Sequence, residues 1–394
     1  MPRAENATSN PNNTYALMER SSSNSDRFAL LLSMKPIAQL IGNLCSGILM
    51  DRIGYKIPFV FGLCVMIAVT GLTSFMQSYY IMLGVRVAQG IACAFADTAA
   101  LAMVADKYLN LMERTVSLTC AVGAALAGWL FSALVEIIAN ALSFTIAQLV
   151  FLTVLASTCV VAAVLLKNQF TSAGTYERTR STTVCFLFAD RHVLTSCCAV
   201  AVAKLFPSLL EPVLDQWALA KVQCSYGQLR LILPSSVLSL LVAGTISTVY
   251  LIRFVSRFRT LVLVGLVVQA VFIVPFRFAH HYWQLFAVLC CIMLGYCLVA
   301  TTVLPLLPNL IDMRHQPVYG SVFAMYGIVD ALVSATSYGL YALYKESVFN
   351  WTIVFVILCV TLYAILVWLL QPVYAPPAPM EESFVMVHQD FGVK

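Results

Sequence analysis

The stretch WQLFAVLCCIMLGYCLVATTVLPLLPNLI, residues 283–311, contains no charged side chain at any of its positions. An α-helix rises about 1.5 Å per residue, so about twenty apolar residues cross the roughly 30 Å hydrocarbon core of a bilayer. Lipid offers no hydrogen-bond partners to the backbone, and a helix satisfies its own backbone groups within one segment. The stretch therefore predicts a transmembrane α-helix.

Apolar segments of the same kind recur along the chain, and we predict an all-α membrane protein with about eleven transmembrane helices. Hydrophobic residues make up 61% of the chain and charged residues 10%, whereas a soluble domain carries about 25% charged residues. The predicted segments are 28–50, 58–77, 79–105, 116–138, 141–166, 193–217, 229–252, 260–279, 283–311, 318–344 and 349–370.

The composition also excludes several classes of function. The net charge of +5 comes from basic residues placed singly or in small groups between apolar runs, so it indicates membrane topology and not nucleic-acid binding. No nucleophile, general base and orienting group fall together, so we do not expect an enzyme. No ligand spacing indicates a metal, and no cofactor is implied.

Two independent signals place the N-terminus in the lumen. The polar segment 1–27 carries glycosylation sequons at Asn6 and Asn12, which are modified only on a lumenal or extracellular face. With that orientation the cytosolic connections hold twelve basic residues and the lumenal side holds seven, as the positive-inside rule requires. An odd number of helices then places the tail, 371–394, in the cytosol.

The longest internal hydrophilic stretch, 167–192, follows the fifth segment. We predict that it is a cytosolic linker between an N-terminal helix bundle, 28–166, and a C-terminal helix bundle, 193–370. Two bundles joined in this way are typical of transporters built from repeated halves.

Six ionisable residues fall at membrane depth, where each costs several kcal/mol unless it is paired or hydrated. Three are acidic and three are basic: Asp97, Glu211, Asp330, Lys35, Arg86 and Lys204. A carboxyl group in a low dielectric titrates nearer to neutral pH, and it can also hold an organic cation. These groups are therefore candidates for exchanging protons against a cation. The alternative is a buried ion network that only locks the helices together.

Two short motifs resemble the major facilitator superfamily. Gly47-Ile-Leu-Met-Asp51-Arg52-Ile-Gly54-Tyr-Lys56 is similar to the signature loop between its second and third helices, and Arg86-Val-Ala-Gln89-Gly90 is similar to its fourth-helix motif. The resemblance implies that Asp51 and Arg52 form a cytosolic latch supported by Gly47 and Gly54. It also implies that Arg86 and Gln89 tune proton coupling.

A narrower resemblance is to the vesicular amine transporters. Leu31-Leu-Ser-Met-Lys35 is similar to their second helix, Leu210-Glu211-Pro212 to their seventh, and the stretch 312–324 to the start of their eleventh. The stretches 90–98 and 103–108 are similar to the acetylcholine branch. The eleven segments would then be family helices two to twelve.

This family resemblance implies a proton-coupled antiporter that loads a small organic cation, acetylcholine or a related amine, into secretory or synaptic vesicles. Asp97 and Glu211 would recognise charge and exchange protons. Lys35 and Asp330 would form an ion pair that breaks during alternating access. The expected partners are the cationic amine, protons and the lipid bilayer.

The chain also departs from the family. The first helix has no counterpart, which predicts a truncated or alternative product. The tenth-helix acid is replaced by Ala300, the eleventh-helix acid falls at Gly327 with Asp330 one turn away, and Lys204 replaces an Asn. Two alternatives therefore stay open: a non-transporting member of the same fold, or a transporter of a neutral or anionic solute, which Lys204 would suit.

Overall fold

The computed structural model describes residues 25–73, 78–108, 110–141, 143–167, 187–188, 190–222, 258–314, 318–341 and 346–370. In these ranges the regular structure is α-helical. The helices are α1 (Ser25–Ile53), α2 (Lys56–Thr73), α3 (Tyr79–Lys107), α4 (Leu111–Ala141), α5 (Phe144–Lys167), α6 (Arg191–Leu210), α7 (Leu214–Lys221), α8 (Phe258–Phe276), α9 (Tyr282–Arg314), α10 (Tyr319–Tyr341) and α11 (Glu346–Leu370).

Eight of these helices are long and apolar enough to cross a membrane: α1, α2, α3, α5, α6, α9, α10 and α11. Helix α8 contributes a shorter apolar stretch, Thr260–Phe276, and α4 covers the predicted segment 116–138. The all-α membrane class predicted from the apolar runs is therefore confirmed. The sequons at Asn6 and Asn12, most of the linker, the segment 229–252 and the tail lie outside the described residues.

The predicted segment 193–217 is not one continuous helix, which corrects the sequence interpretation. Helix α6 ends at Leu210, residues 211–213 form a turn, and α7 begins at Leu214. Pro212 has no backbone N–H, and its ring clashes with the carbonyl group four residues earlier. The break places Glu211 at the end of a helix and not within one.

Helix α1 ends at Ile53, inside the predicted latch motif 47–56, so Asp51 and Arg52 belong to its last turn. Gly54 has a φ of 87°, and its N–H donates to the Met50 carbonyl at 2.9 Å. This left-handed cap favours glycine because it has no Cβ to clash. The chain can therefore reverse within two residues and start α2 at Lys56.

Helix α1 packs between α3 and α10, and the contact depends on residues without side chains. A Cβ added at Gly90 of α3 would overlap the Lys35 carbonyl oxygen of α1. A Cβ added at Gly327 of α10 would lie 2.5 Å from the Asn43 Nδ2 atom of α1. Helix α1 therefore joins the earlier helices to the later ones at the middle of the bundle.

Candidate functional site

Helices α6 and α10 are connected by two polar contacts. The Lys204 ammonium lies 2.6 Å from both carboxylate oxygens of Asp330. The Tyr338 hydroxyl donates to Glu211 Oε2 at 2.7 Å. Seven residues separate the two positions on α6 and eight separate them on α10, so each pair of positions is about two helical turns apart. The ion pair and the hydrogen bond therefore connect the two adjacent helices at two successive levels.

The predicted ion pair between Lys35 and Asp330 is not present in this conformation, because Asp330 is paired with Lys204. Gly327 faces Asn43 of α1. Three residues further along a helix, a side chain is rotated by about 60° and raised by about 4.5 Å. Asp330 is thereby turned away from α1 and toward α6.

The Asp97 side chain is exposed, yet charged groups of α1, α6 and α10 act on it, so it faces the space between these helices. The cation that acts on it most strongly is Lys35 of α1, followed by Lys204 of α6. Arg86 of α3 donates to Gln89 Oε1 at 3.4 Å. Asp97 is eleven residues further along the same helix, about 16 Å away, which is too far for a direct ion pair with Arg86.

Three tyrosines that the sequence analysis did not select accompany these acids. Tyr296 of α9 and Tyr326 of α10 both lie within electrostatic reach of Asp330, and Tyr326 also of Asp97. Tyr338 joins them through Glu211. Tyr326, Asp330 and Tyr338 lie at intervals of four and eight residues on one face of α10, but a core tyrosine would show the same spacing. Aromatic faces attract cations, most strongly where water is excluded.

A second polar cluster lies at the other end of the bundle from the Glu211–Tyr338 contact, where α3 ends and α4 begins. We name it the Arg114 cluster, and it consists of Arg114, Asn309, Asp312 and Tyr319. The Arg114 guanidinium donates to Asp312 at 2.5 Å, to Asn309 at 3.1 Å and to the Tyr319 hydroxyl at 3.2 Å. Tyr319 donates in turn to Asp312 at 2.6 Å.

The Arg114 cluster joins α4 to α9 and α10 at the predicted cytosolic end. The Arg114 side chain is 1% exposed, and its Nε also donates to the Tyr108 carbonyl at 2.7 Å. An apolar cluster beside it contains Ala102 and Ala105 of α3 together with Phe323 of α10. In this conformation the earlier and later helices are therefore packed together at this end.

The residues of the predicted cytosolic latch lie at the end of α1. Gly47 and Gly54 are buried at the end of α1, and the Arg52 side chain is exposed. The side chain of Asp51 lies outside the described part of the structure, so the latch stays a prediction. Among the described residues, no group of three His, Cys, Asp or Glu side chains converges as a metal site would.

Charged side chains at membrane depth between apolar helices, as the described residues show, are typical of membrane transporters. The sequence profile of the Major Facilitator Superfamily matches residues 6–337. The chain belongs to the major facilitator superfamily.

Three relatives show the more specific similarity. The chain is 32% identical to the vesicular acetylcholine transporter of Torpedo marmorata over 79% of its own length and 61% of the relative's. It is 30% identical to that of Caenorhabditis elegans over 77% of its length and 58% of the relative's. It is 31% identical to the probable vesicular acetylcholine transporter-B of Danio rerio over 78% and 63%.

The chain spans about three fifths of the length of the curated relatives it matches. The similarity to vesicular transporters and the eight apolar helices together indicate a multi-pass protein of vesicle membranes.

Proposed function

We propose that this chain is a proton-coupled antiporter that loads a small organic cation, acetylcholine or a related amine, into secretory or synaptic vesicles. The observation that carries the proposal is the accessible carboxylate of Asp97 on α3, which lies within electrostatic reach of Tyr326 on α10. A carboxylate beside an aromatic face suits a quaternary ammonium group, because both groups attract positive charge. The similarity to vesicular acetylcholine transporters supports the same substrate class.

In this mechanism Asp97 and Glu211 exchange bound protons for the cation. Glu211 lies at the α6–α7 break with its side chain exposed, so protons and substrate can reach it. The Tyr338 hydroxyl holds one of its oxygens and leaves the other oxygen for a ligand. Arg86 and Gln89, which are hydrogen-bonded to each other on α3, adjust the coupling.

Glu211→Gln is expected to abolish uptake, because the amide keeps the shape of the side chain but can neither bind a proton nor carry a negative charge. The measurement is uptake of labelled acetylcholine into proteoliposomes with an imposed pH gradient, acid inside. Glu113→Gln is the matched control, since Glu113 is an exposed acid at the start of α4. Uptake by Glu211→Gln equal to that of the unmodified chain would show that Glu211 is only structural.

Glycosylation of Asn6 and Asn12 is expected if the proposed orientation is right, because the sequons must face the lumen. The chain expressed in glycosylating cells should give a band that shifts on deglycosylation, and Asn6→Gln with Asn12→Gln should remove the shift. An unshifted band, together with cleavage of the N-terminal segment by a cytosolic protease, would reverse the orientation.

A non-transporting member of the fold is the second candidate, and the Lys204–Asp330 pair favours it. That pair neutralises one of the acids that a cation site would use, and Ala300, which is buried, offers no charge in its place. The uptake assay distinguishes the two candidates. A correctly folded chain that accumulates no acetylcholine under the pH gradient supports the non-transporting candidate.

A further inference from the structure

We propose that Lys204 is a tethered cation that competes with the substrate's cationic nitrogen for Asp330. Lys204 would then set the cation affinity of this chain, and Asp330 would bind substrate only when the ammonium of Lys204 leaves it. The inference rests on the proposed function, because it concerns the same internal space.

The first support is the geometry of the pair. The Lys204 ammonium is 2.6 Å from each oxygen of Asp330, so one cation occupies both oxygens of the carboxylate. The side chains are 22% and 21% exposed, which means that the pair is neither sealed in the core nor free in water. A small ligand that approaches Asp330 therefore meets the Lys204 ammonium and not a free carboxylate.

The second support is the set of groups around the pair. Asp330 acts on Tyr296 of α9 and on Tyr326 and Tyr338 of α10. Lys204 also acts on Asp97 of α3. The Lys204–Asp330 pair therefore lies within electrostatic reach of a second acid on α3 and of tyrosines on α9 and α10, and acids and aromatic rings are the groups that stabilise an organic cation.

The third support is that the position of α6 does not depend on the pair. The buried Gln269 side chain of α8 donates from Nε2 to the Ala203 carbonyl of α6 at 2.6 Å. Ala203, Phe206 and Leu210 are buried in the main apolar core. Because these contacts already fix α6, the charge pair is available for a role other than holding the helix.

The test measures binding of radiolabelled tetramethylammonium to the purified full chain in nanodiscs by equilibrium dialysis. Lys204→Met is expected to tighten binding by about tenfold, because it frees the Asp330 carboxylate. In a partly dehydrated site the attraction between this carboxylate and the probe outweighs the cost of removing the remaining water from both. Lys204→Arg keeps the positive charge and should bind as weakly as the unmodified chain. Lys204→Met combined with Asp330→Asn should return binding to the weak level. A correctly folded Lys204→Met chain without tighter binding would overturn the inference, and so would an equal gain in Lys204→Arg.

A second measurement needs no substitution. Saturating tetramethylammonium should increase acylation of Lys204 by an amine-reactive reagent in the unmodified chain, read by mass spectrometry, because the probe displaces the ammonium from Asp330. Acylation of Lys56, which lies at the start of α2, is the internal reference and should stay constant. Unchanged labelling of Lys204 at a probe concentration that saturates binding would refute the displacement.

Both measurements are independent of transport. If Lys204→Met binds the probe more tightly but the chain accumulates no acetylcholine, the proposed antiport fails and the inference stands. If acetylcholine uptake is present but neither binding nor labelling responds, the inference alone fails.

Discussion

Replacing Arg114 with methionine is expected to destabilise the protein by about 2 to 3 kcal/mol and to open the predicted cytosolic end of the bundle. Breaking a fully buried ion pair costs roughly 3–5 kcal/mol, because the remaining charge stays buried without a partner. The effect is smaller here because Asp312 is 35% exposed and water can reach it. Tyr319 and Asn309 also lose the guanidinium that joins them to α4.

Two measurements check this prediction. Thermal unfolding in nanodiscs should show a lower midpoint for Arg114→Met. A cysteine introduced as Ala105→Cys, at a buried position beside the Arg114 cluster, should react faster with a membrane-impermeant maleimide in the Arg114→Met background.

Arg114→Lys is the matched control, and an intermediate loss of stability is expected. Lysine keeps the charge but lacks the planar group that donates to three side chains at once. If Arg114→Met unfolds at the same temperature as the unmodified chain and leaves the cysteine at position 105 protected, the Arg114 cluster does not hold this end closed.

Gly90→Ala is expected to destabilise the contact between α1 and α3 by about 1–3 kcal/mol, the usual cost of overpacking a filled core. The added methyl group would overlap the Lys35 carbonyl oxygen, and it would lie 2.8 Å from the Ala38 Cβ atom and 2.9 Å from the Gln39 nitrogen. Two of these three atoms belong to the backbone of α1 and cannot rotate away. Helix α1 must therefore shift, which also moves Lys35 relative to Asp97.

Gly84→Ala provides the control on the same helix. A Cβ added at Gly84 meets nothing within 4 Å, so this substitution should leave stability unchanged or raise it slightly through the lower entropy of the unfolded chain. Thermal unfolding of the two variants side by side measures the difference. Equal midpoints for Gly90→Ala and Gly84→Ala would show that the close approach of α1 to α3 does not limit stability.

The class of this protein was predictable from its sequence because crossing a bilayer is a local requirement. Each apolar run has to be long enough by itself, and each helix satisfies its own backbone. For the same reason the sequence marked Lys35, Asp97, Lys204 and Asp330 as exceptional, since a charge at membrane depth is costly wherever its partner lies.

Only the tertiary structure decided which of these charges meet. Asp330 pairs with Lys204, 126 residues away along the chain, and Arg114 meets Asp312 across 198 residues. Partner choice depends on how far each helix is rotated and raised against its neighbours. That placement is set by contacts such as Gly327 against Asn43, which leave no periodic signal in a single sequence. The three tyrosines became candidates for the same reason, because a tyrosine that packs in a core and one that faces a cation have the same sequence pattern until the neighbouring helix is in place.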